Sequence, residues 1–436
     1  MPGLTVPVIL VHLESPSPRA RYVFHHLIEG LLGWSMREVE DPIRFRDANG
    51  PKLRYGAEDE PSAICLQACG ILEEKGIRPW RVERAGHGGL PLILLDGVWD
   101  LPGAVFWLLS LYEEQLPGER DAHGRLPSSC RSLFKLELER TPVVDRWALD
   151  LAGRMIERWP ALPAPNRRYA HHVTVDVDNG MRYLGRPLLR QIGASAKEVV
   201  AGRFPQLAER WRVLTGAQRD PYDRYEEVVR LCRERTARLL FFFLVRGGTR
   251  HDHAASSAHA VLRARVRMAA ECAEVGIHPS YRTSEDADLL AHEIGLLRSL
   301  INRPLHISRQ HFLRYRIPDT LYRLERLGIT EEHSVGSSDR AGFTTGTCTP
   351  FPYYSILEER RTAITMHPFA VMDSALHDHR GLGTDEAFAE YRSCIDAVRA
   401  VQGTLITVWH DRFLAGADDR HSWPALFERV LDAARS

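Results

Sequence analysis

Hydrophobic and polar positions alternate along this chain in two textures. Short apolar runs bounded by turn formers read as buried strands, and longer amphipathic stretches read as helices. In the first third, "VPVILVHL" and "LPLILLDG" are strand-like, while "AVFWLLSLYEEQL" and "VDRWALDLAGRMIERW" are helix-like. A further helix is expected over "AICLQACGILEE", where i,i+4 spacing sets Cys65 and Cys69 on one face. The stretch "ERWPALPAPNRRYA" then places three prolines in a short polar segment. It stops the preceding helix and acts as a stiff connector.

Beyond the connector the pattern becomes regular. Strand-like runs are expected at 171–178, 238–245, 275–280, 304–310, 332–336, 361–369 and 404–411. Helical segments separate most of them, among them "AHAVLRARVRMAAECAEV", "EDADLLAHEIGLLRSLI", "PDTLYRLERLG" and "DEAFAEYRSCIDAVRAVQG". Pro318-Asp319 suits a helix's first turn, and Gly403 suits a helix stop. Such alternation argues for an α/β fold with a parallel sheet and helical crossovers. About seven strands suit a distorted (β/α) barrel, complete or incomplete. The expected organisation is an α/β domain over 1–157, a Pro-rich linker over 158–170 and the barrel over 171–436.

Composition narrows the function classes. Lys plus Arg equal Asp plus Glu at 57 each, so the net charge is zero, against a phosphate-led nucleic-acid binder. No run approaches the 18 or more apolar residues of a membrane helix, so no membrane insertion is expected. The opening stretch lacks a basic region and a small-residue cleavage site, which points to a cytoplasmic protein. The seven cysteines are scattered and odd in number, as expected of reduced thiols rather than a zinc cluster.

The candidate chemistry lies at the strand ends, where parallel barrels gather their sites. Asp176 and Asp178 end the first strand and His278 the third. Arg309 and His311 end the fourth, His367 the sixth, and His410 with Asp411 the last. Val173, Val175 and Val177 alternate with Thr174, Asp176 and Asp178, so both aspartates project to one face. Their Cα atoms stand roughly 6.6 Å apart, which lets one carboxylate hold a cation while the other acts as a base. Other features are read as structural. "HDHAASSAH" (251–259) looks like a solvated polar loop, and "LYEEQLPGERDAHGR" (111–125) like a surface helix end with a hydrogen-bonded turn. "GLGTDEAF" has no strand leading into it, and no G-x-S-x-G elbow occurs.

The segments "TVDVDN", "GIHPSY", "SRQHFLRY" and "LITVWHD" resemble the motifs of the polysaccharide deacetylase superfamily, whose NodB homology domain is a distorted (β/α) barrel. The resemblance covers residues about 170 to 415. It implies Asp176 as general base, Asp178 and His278 as metal ligands, Arg309 as an orienting residue and His410 as general acid. The family's second motif usually carries another histidine four residues on, where this chain has Arg282. His311 is the candidate for that ligand, with His367 in reserve. The implied reaction is hydrolysis of an N-acetyl group from an acetamido sugar or glycan precursor, with zinc favoured and cobalt or nickel as alternatives. Tyr353, Tyr354 and Trp409, together with His367, are candidates for contact with the sugar. Two alternatives stand: a cyclic amide or imide hydrolase of the same superfamily, and a non-catalytic glycan-binding or scaffold member. The N-terminal part resembles the uncharacterised α/β module preceding this domain in some bacterial members; its role is open, and capping the barrel mouth is one it could take.

Overall fold

A computed structural model describes residues 6–416 and 422–435. The first strands are β1 (Val8–Leu13), β2 (Ser35–Glu38), β3 (Lys52–Gly56) and β4 (Ile64–Gln67). They form a parallel sheet in the order β2-β1-β3-β4. An antiparallel hairpin follows, β5 (Val82–His87) with β6 (Leu90–Leu95). Ile9, Val11 and Leu13 face the main core, while Leu10 packs on the other side against Phe45 and Ala63. The helix expected around Cys65 and Cys69 is instead β4, with Ile64 in register with Leu53, and Cys69 lies beyond its end. A short apolar run fits either period, and here the open edge of β3 decides it. All seven cysteines are free.

The second sheet holds nine strands: β7 (Ala170–Val177), β8 (Arg238–Phe243), β9 (Glu274–Ile277), β10 (Ile307–Ser308), β11 (Glu331–Glu332), β12 (Phe351–Ser355), β13 (Arg360–Met366), β14 (Val371–Met372) and β15 (Thr404–His410). Their order is β12-β13-β11-β10-β9-β8-β7-β15-β14, parallel throughout except for β12 with β13. The seven expected strands are present, and β12 and β14 are additions. Among the described residues β12 and β14 are the sheet's edges, with no hydrogen-bonded closure between them.

That sheet is nonetheless strongly curved. Arg309, just past β10, donates from Nη1 to Thr174 Oγ1 on β7 at 2.7 Å. A flat sheet would hold these strands about 14 Å apart, three spacings of roughly 4.8 Å. The convex face presents Val173, Val175, Val177, Phe241, Phe243, Val275 and Ile277 to the crossover helices. The concave face packs Leu240, Phe242 and Ile307. Gly276 permits this, because a Cβ there would meet the Phe242 ring at 2.7 Å.

The N-terminal region is bonded to the β12–β13 edge. Buried Arg19 donates to Glu359, and Tyr22 donates to the Pro352 carbonyl at 2.8 Å. Asp145, fully buried in helix 143–158, accepts from Thr347 Oγ1, Cys348 N and Arg167. These contacts cover a strand edge that would otherwise offer unpaired backbone groups. Arg167, in the proline-rich stretch, also donates to the Val401 carbonyl, which ties that stretch down. No helix among the described residues is long and apolar enough to cross a membrane.

Candidate active site

Alternation along β7 turns Thr174 and Asp176 to the concave face, and Asp178 follows directly after Val177. The turn carrying Asp178 is fixed from below. Asp411 accepts from Asn179 N at 3.0 Å, from Gly180 N at 2.8 Å and from Asn179 Nδ2 at 3.1 Å. Gly180 has φ +72°, and a Cβ there would stand 2.9 Å from Leu262. Burial, and then the nearby Asp178 charge, push Asp411 up to about 6.

Asp178, His278 and His311 converge, each contributing one ligand atom to a cluster within 4.8 Å. Asp178 Oδ1 is 3.3 Å from His278 Nε2 and 3.6 Å from His311 Nε2, and it has no hydrogen-bond partner. Both imidazoles are held from behind. His278 Nδ1 pairs with the Arg309 carbonyl at 2.6 Å, and His311 Nδ1 with Asp252 Oδ1 at 3.1 Å. An acceptor at Nδ1 takes the ring proton there and leaves the Nε2 lone pair facing the cluster, as in ligating histidines. Zinc ligands at 2.0–2.1 Å in a tetrahedron lie about 3.3 Å apart, so the spacing and the unpaired buried oxygen fit a metal. Burial opposes ionisation of Asp178, but His311, His278 and His410 outweigh it and hold the carboxyl well below its ordinary range. Burial likewise opposes charge on His311, but Asp178 and Asp252 raise it to about 9.

Two further pairs flank the cluster. Asp176 accepts from Arg309 Nη1 at 2.8 Å and has Oδ2 3.9 Å from His278 Nε2. Arg309 is fully buried, and its Nε donates to the His333 carbonyl. On the other side, Asp373 holds His410 twice, accepting from its backbone N at 2.7 Å and pairing with Nδ1 at 2.5 Å. His410 Nε2 lies 3.9 Å from Asp178 Oδ2. Burial lowers the His410 pKa, but Asp373, Asp178 and Asp176 together raise it to about 9.

A cavity of about 240 Å³ opens over these groups, lined by Asp176, Asp178, His278, His311, His410, Phe312 and Arg125. Phe312 and Leu313 have φ of 59° and 52°, two successive left-handed residues directly after His311. Such strain in non-glycine residues gathers at functional sites. Residues 121–131 build the outer wall. Arg125 donates to the Phe312 carbonyl at 2.9 Å and also lines an adjoining cavity of about 180 Å³ with Arg131 and Asp339. The expected turn exists, with Asp121 accepting from His123 N and Arg125 N, but it stands at the mouth of the site.

Among the residues singled out in the sequence, Asp176, Asp178, His278, Arg309, His311 and His410 are brought together, and four are not. Trp409 is fully buried, stacked on Tyr391 with ring centroids 5.0 Å apart. Tyr353 is equally buried, pointing into the core rather than the cavity. His367 stacks on His333, away from the cavity lining. These are corrections; for Trp409 the cause is that neighbours in a strand point to opposite faces, so that it turns outward where His410 turns in. Tyr354 is also core, packed on Tyr22. Asp252 and Asp373 were missed. Asp252 sits in the stretch expected to be solvated, yet it is 5% exposed and also accepts from Tyr281 N.

A family of unknown function, DUF7033, matches residues 9–160. No curated protein matches the sequence. Similar solved structures include a protein assigned as a polysaccharide deacetylase from Mycobacterium smegmatis, at 16% identity and TM-score 0.39, covering 62% of this chain and 85% of that one. Another, from Bordetella bronchiseptica, is assigned as a polysaccharide deacetylase involved in O-antigen biosynthesis, at 12% identity and TM-score 0.32, covering 62% and 85%. A third is a CE4 family pseudoenzyme from Bacillus anthracis, at 8% identity and TM-score 0.30, covering 62% and 63%. Likeness this distant says nothing of chemistry, which rests on the residues themselves.

Proposed function

We propose that the chain is a metal-dependent hydrolase that removes an N-acetyl group from an acetamido sugar or glycan precursor, working at the C-terminal rim of an incomplete (β/α) barrel. One observation carries this reading. A carboxylate and two Nε2 atoms face a common point, flanked by a carboxylate–guanidinium pair on one side and a carboxylate-anchored imidazole on the other. Asp178, His278 and His311 would hold a divalent cation, and the nitrogen-rich set favours zinc over cobalt or nickel. Such an ion supplies Lewis acidity, polarising an amide carbonyl and making water acidic enough to react near neutral pH.

The remaining steps belong to the chain's own residues. Asp176, oriented by Arg309, takes the proton of the attacking water as its oxygen adds to the carbonyl carbon. His410, kept protonated by Asp373, gives a proton to the amine nitrogen as the C–N bond breaks. Acetate and the free amine leave. Phe312 offers a ring to a sugar face at the cavity wall, and Arg125 closes the mouth from the 1–157 module. The motif resemblance around Asp176, His278, Arg309 and His410 supports a sugar amide over other acyl substrates.

Acetate release from N-acetylated amino sugars and their oligomers tests the proposal, with small cyclic imides assayed beside them. Zinc-loaded wild type is expected to release acetate. Asp176→Asn should lose about 10²–10⁴ in kcat with its metal retained, and Asp178→Asn should lose both. Ring opening of imides without acetate release would move the chain to the cyclic amide hydrolases. A metal-loaded protein that turns over neither class would make it a binding member.

A further inference from the structure

A second group of histidines stands on the same concave face as the cavity, beyond the Phe242 ring. Glu331 is the first residue of β11, His333 follows that strand, and His367 follows β13. The group lies near Arg238 and Glu274, the first residues of β8 and β9, rather than near the strand ends that carry the cavity. The Phe242 ring stands between the two groups, with His333 at 5.2 Å and the Arg309 guanidinium at 4.4 Å.

The local geometry is unusual for a packed interior. The His333 and His367 rings stack at 4.3 Å with a 9° tilt, and both bring Nε2 near one oxygen, Glu331 Oε2, at 3.7 and 3.3 Å. Neither nitrogen of either ring has a hydrogen-bond partner, although His333 is fully buried and His367 is 7% exposed. Leaving such groups unpaired in a core costs roughly 1–3 kcal/mol each. The three ligand atoms lie within 4.8 Å of one another, and a turn of one ring out of the stack brings both in-plane lone pairs onto one ion, whose zinc tetrahedron has an edge of roughly 3.3 Å. Arg238, whose Nη2 stands 3.9 Å from Glu331 Oε2, is itself held by Glu274 at 2.6 Å through Nε.

We infer that Glu331, His333 and His367 form a second metal site that binds one divalent transition-metal ion of the zinc class and ties β11 to β13. The fourth position falls to water or to His172, whose Nδ1 is also buried without a partner. The site is structural: Arg309 reaches it only through the His333 carbonyl.

The test is zinc stoichiometry on the full chain, stripped with chelator, reloaded with zinc and measured by elemental analysis. Wild type is expected to bind two equivalents, Asp178→Asn one, Glu331→Gln one, and the double variant none. Glu331 is partly exposed, so its glutamine variant spares the core, and a thermal melt gives an independent reading. Zinc should raise the Tm of Asp178→Asn by about 2–4 °C or more and leave the double variant unmoved. An Asp178→Asn protein that takes up no zinc and shows no shift overturns the proposal. Water then bridges the imidazoles instead. Retention of both equivalents by Glu331→Gln overturns it as well.

Discussion

The two histidine clusters share residue types and differ in what stands behind them. At the cavity, His278, His311 and His410 each rest Nδ1 on an acceptor, namely the Arg309 carbonyl, Asp252 and Asp373. At the inner cluster, His333 and His367 have no such support, only each other's ring faces and one glutamate oxygen. Outer partners fix a ring's tautomer and direction before any ligand arrives. The cavity is therefore preorganised for a reacting molecule, whereas the inner cluster has the marks of a site built only to be filled.

Removing those outer partners should break the contrast, most strongly at His410. That imidazole is raised to about 9 in the folded chain, above its ordinary 6.5. The stability this gives is complete below about pH 6.5 and is lost as pH rises through about 9. Asp373→Asn should therefore lower the Tm of the metal-stripped protein most near pH 6, with the gap narrowing by pH 10, as thermal melts across pH would read. In the metal-loaded enzyme the same change should move the alkaline fall in kcat to lower pH, because less His410 carries its proton.

A smaller effect is expected at Asp252. Asp252→Asn leaves His311 in place but weakens its anchor, so metal affinity at the cavity should fall about 10–100-fold. Competition with a chromophoric chelator measures this, and zinc held by Glu331, His333 and His367 should be unaffected. The smallest effect belongs to Tyr353, whose buried hydroxyl has no partner. Tyr353→Phe should leave turnover unchanged and alter stability by no more than about 1 kcal/mol, in the stabilising direction. A loss of turnover would return Tyr353 to the substrate site.

Much of this arrangement was legible in the chain. Buried parallel strands write themselves as near-continuous apolar runs, which exposed β8 and β15, while alternation exposed β7 and β13, together with the polar residues at their ends. β14 escaped notice because two residues carry no period, and β12 because Pro352 in "FPYYS" argues against a strand that an edge position tolerates. Asp252 and Asp373 act by touching histidines far away in sequence, and nothing in their own neighbourhoods announces it. His367 misled for a related reason. Its place at a strand end was right, but β13 is separated from β7 by four strands, and its side chain meets His333 instead.

The pairing of β7 with β15 has a consequence during synthesis. β15 is the last strand of the sheet to be made, yet it lies beside β7, the first, in register from Thr404 with Ala170 to His410 with Asp176. A ribosome adding about 5–20 residues per second takes more than ten seconds to travel from one to the other. Through that interval one side of β7 waits with its backbone groups unclaimed, an invitation to the wrong neighbour. An inward-pointing charge is a known deterrent to such mispairing, and Asp176 supplies one at the end of a valine-rich strand. The carboxylate assigned to chemistry in the finished molecule thus also guards the nascent one.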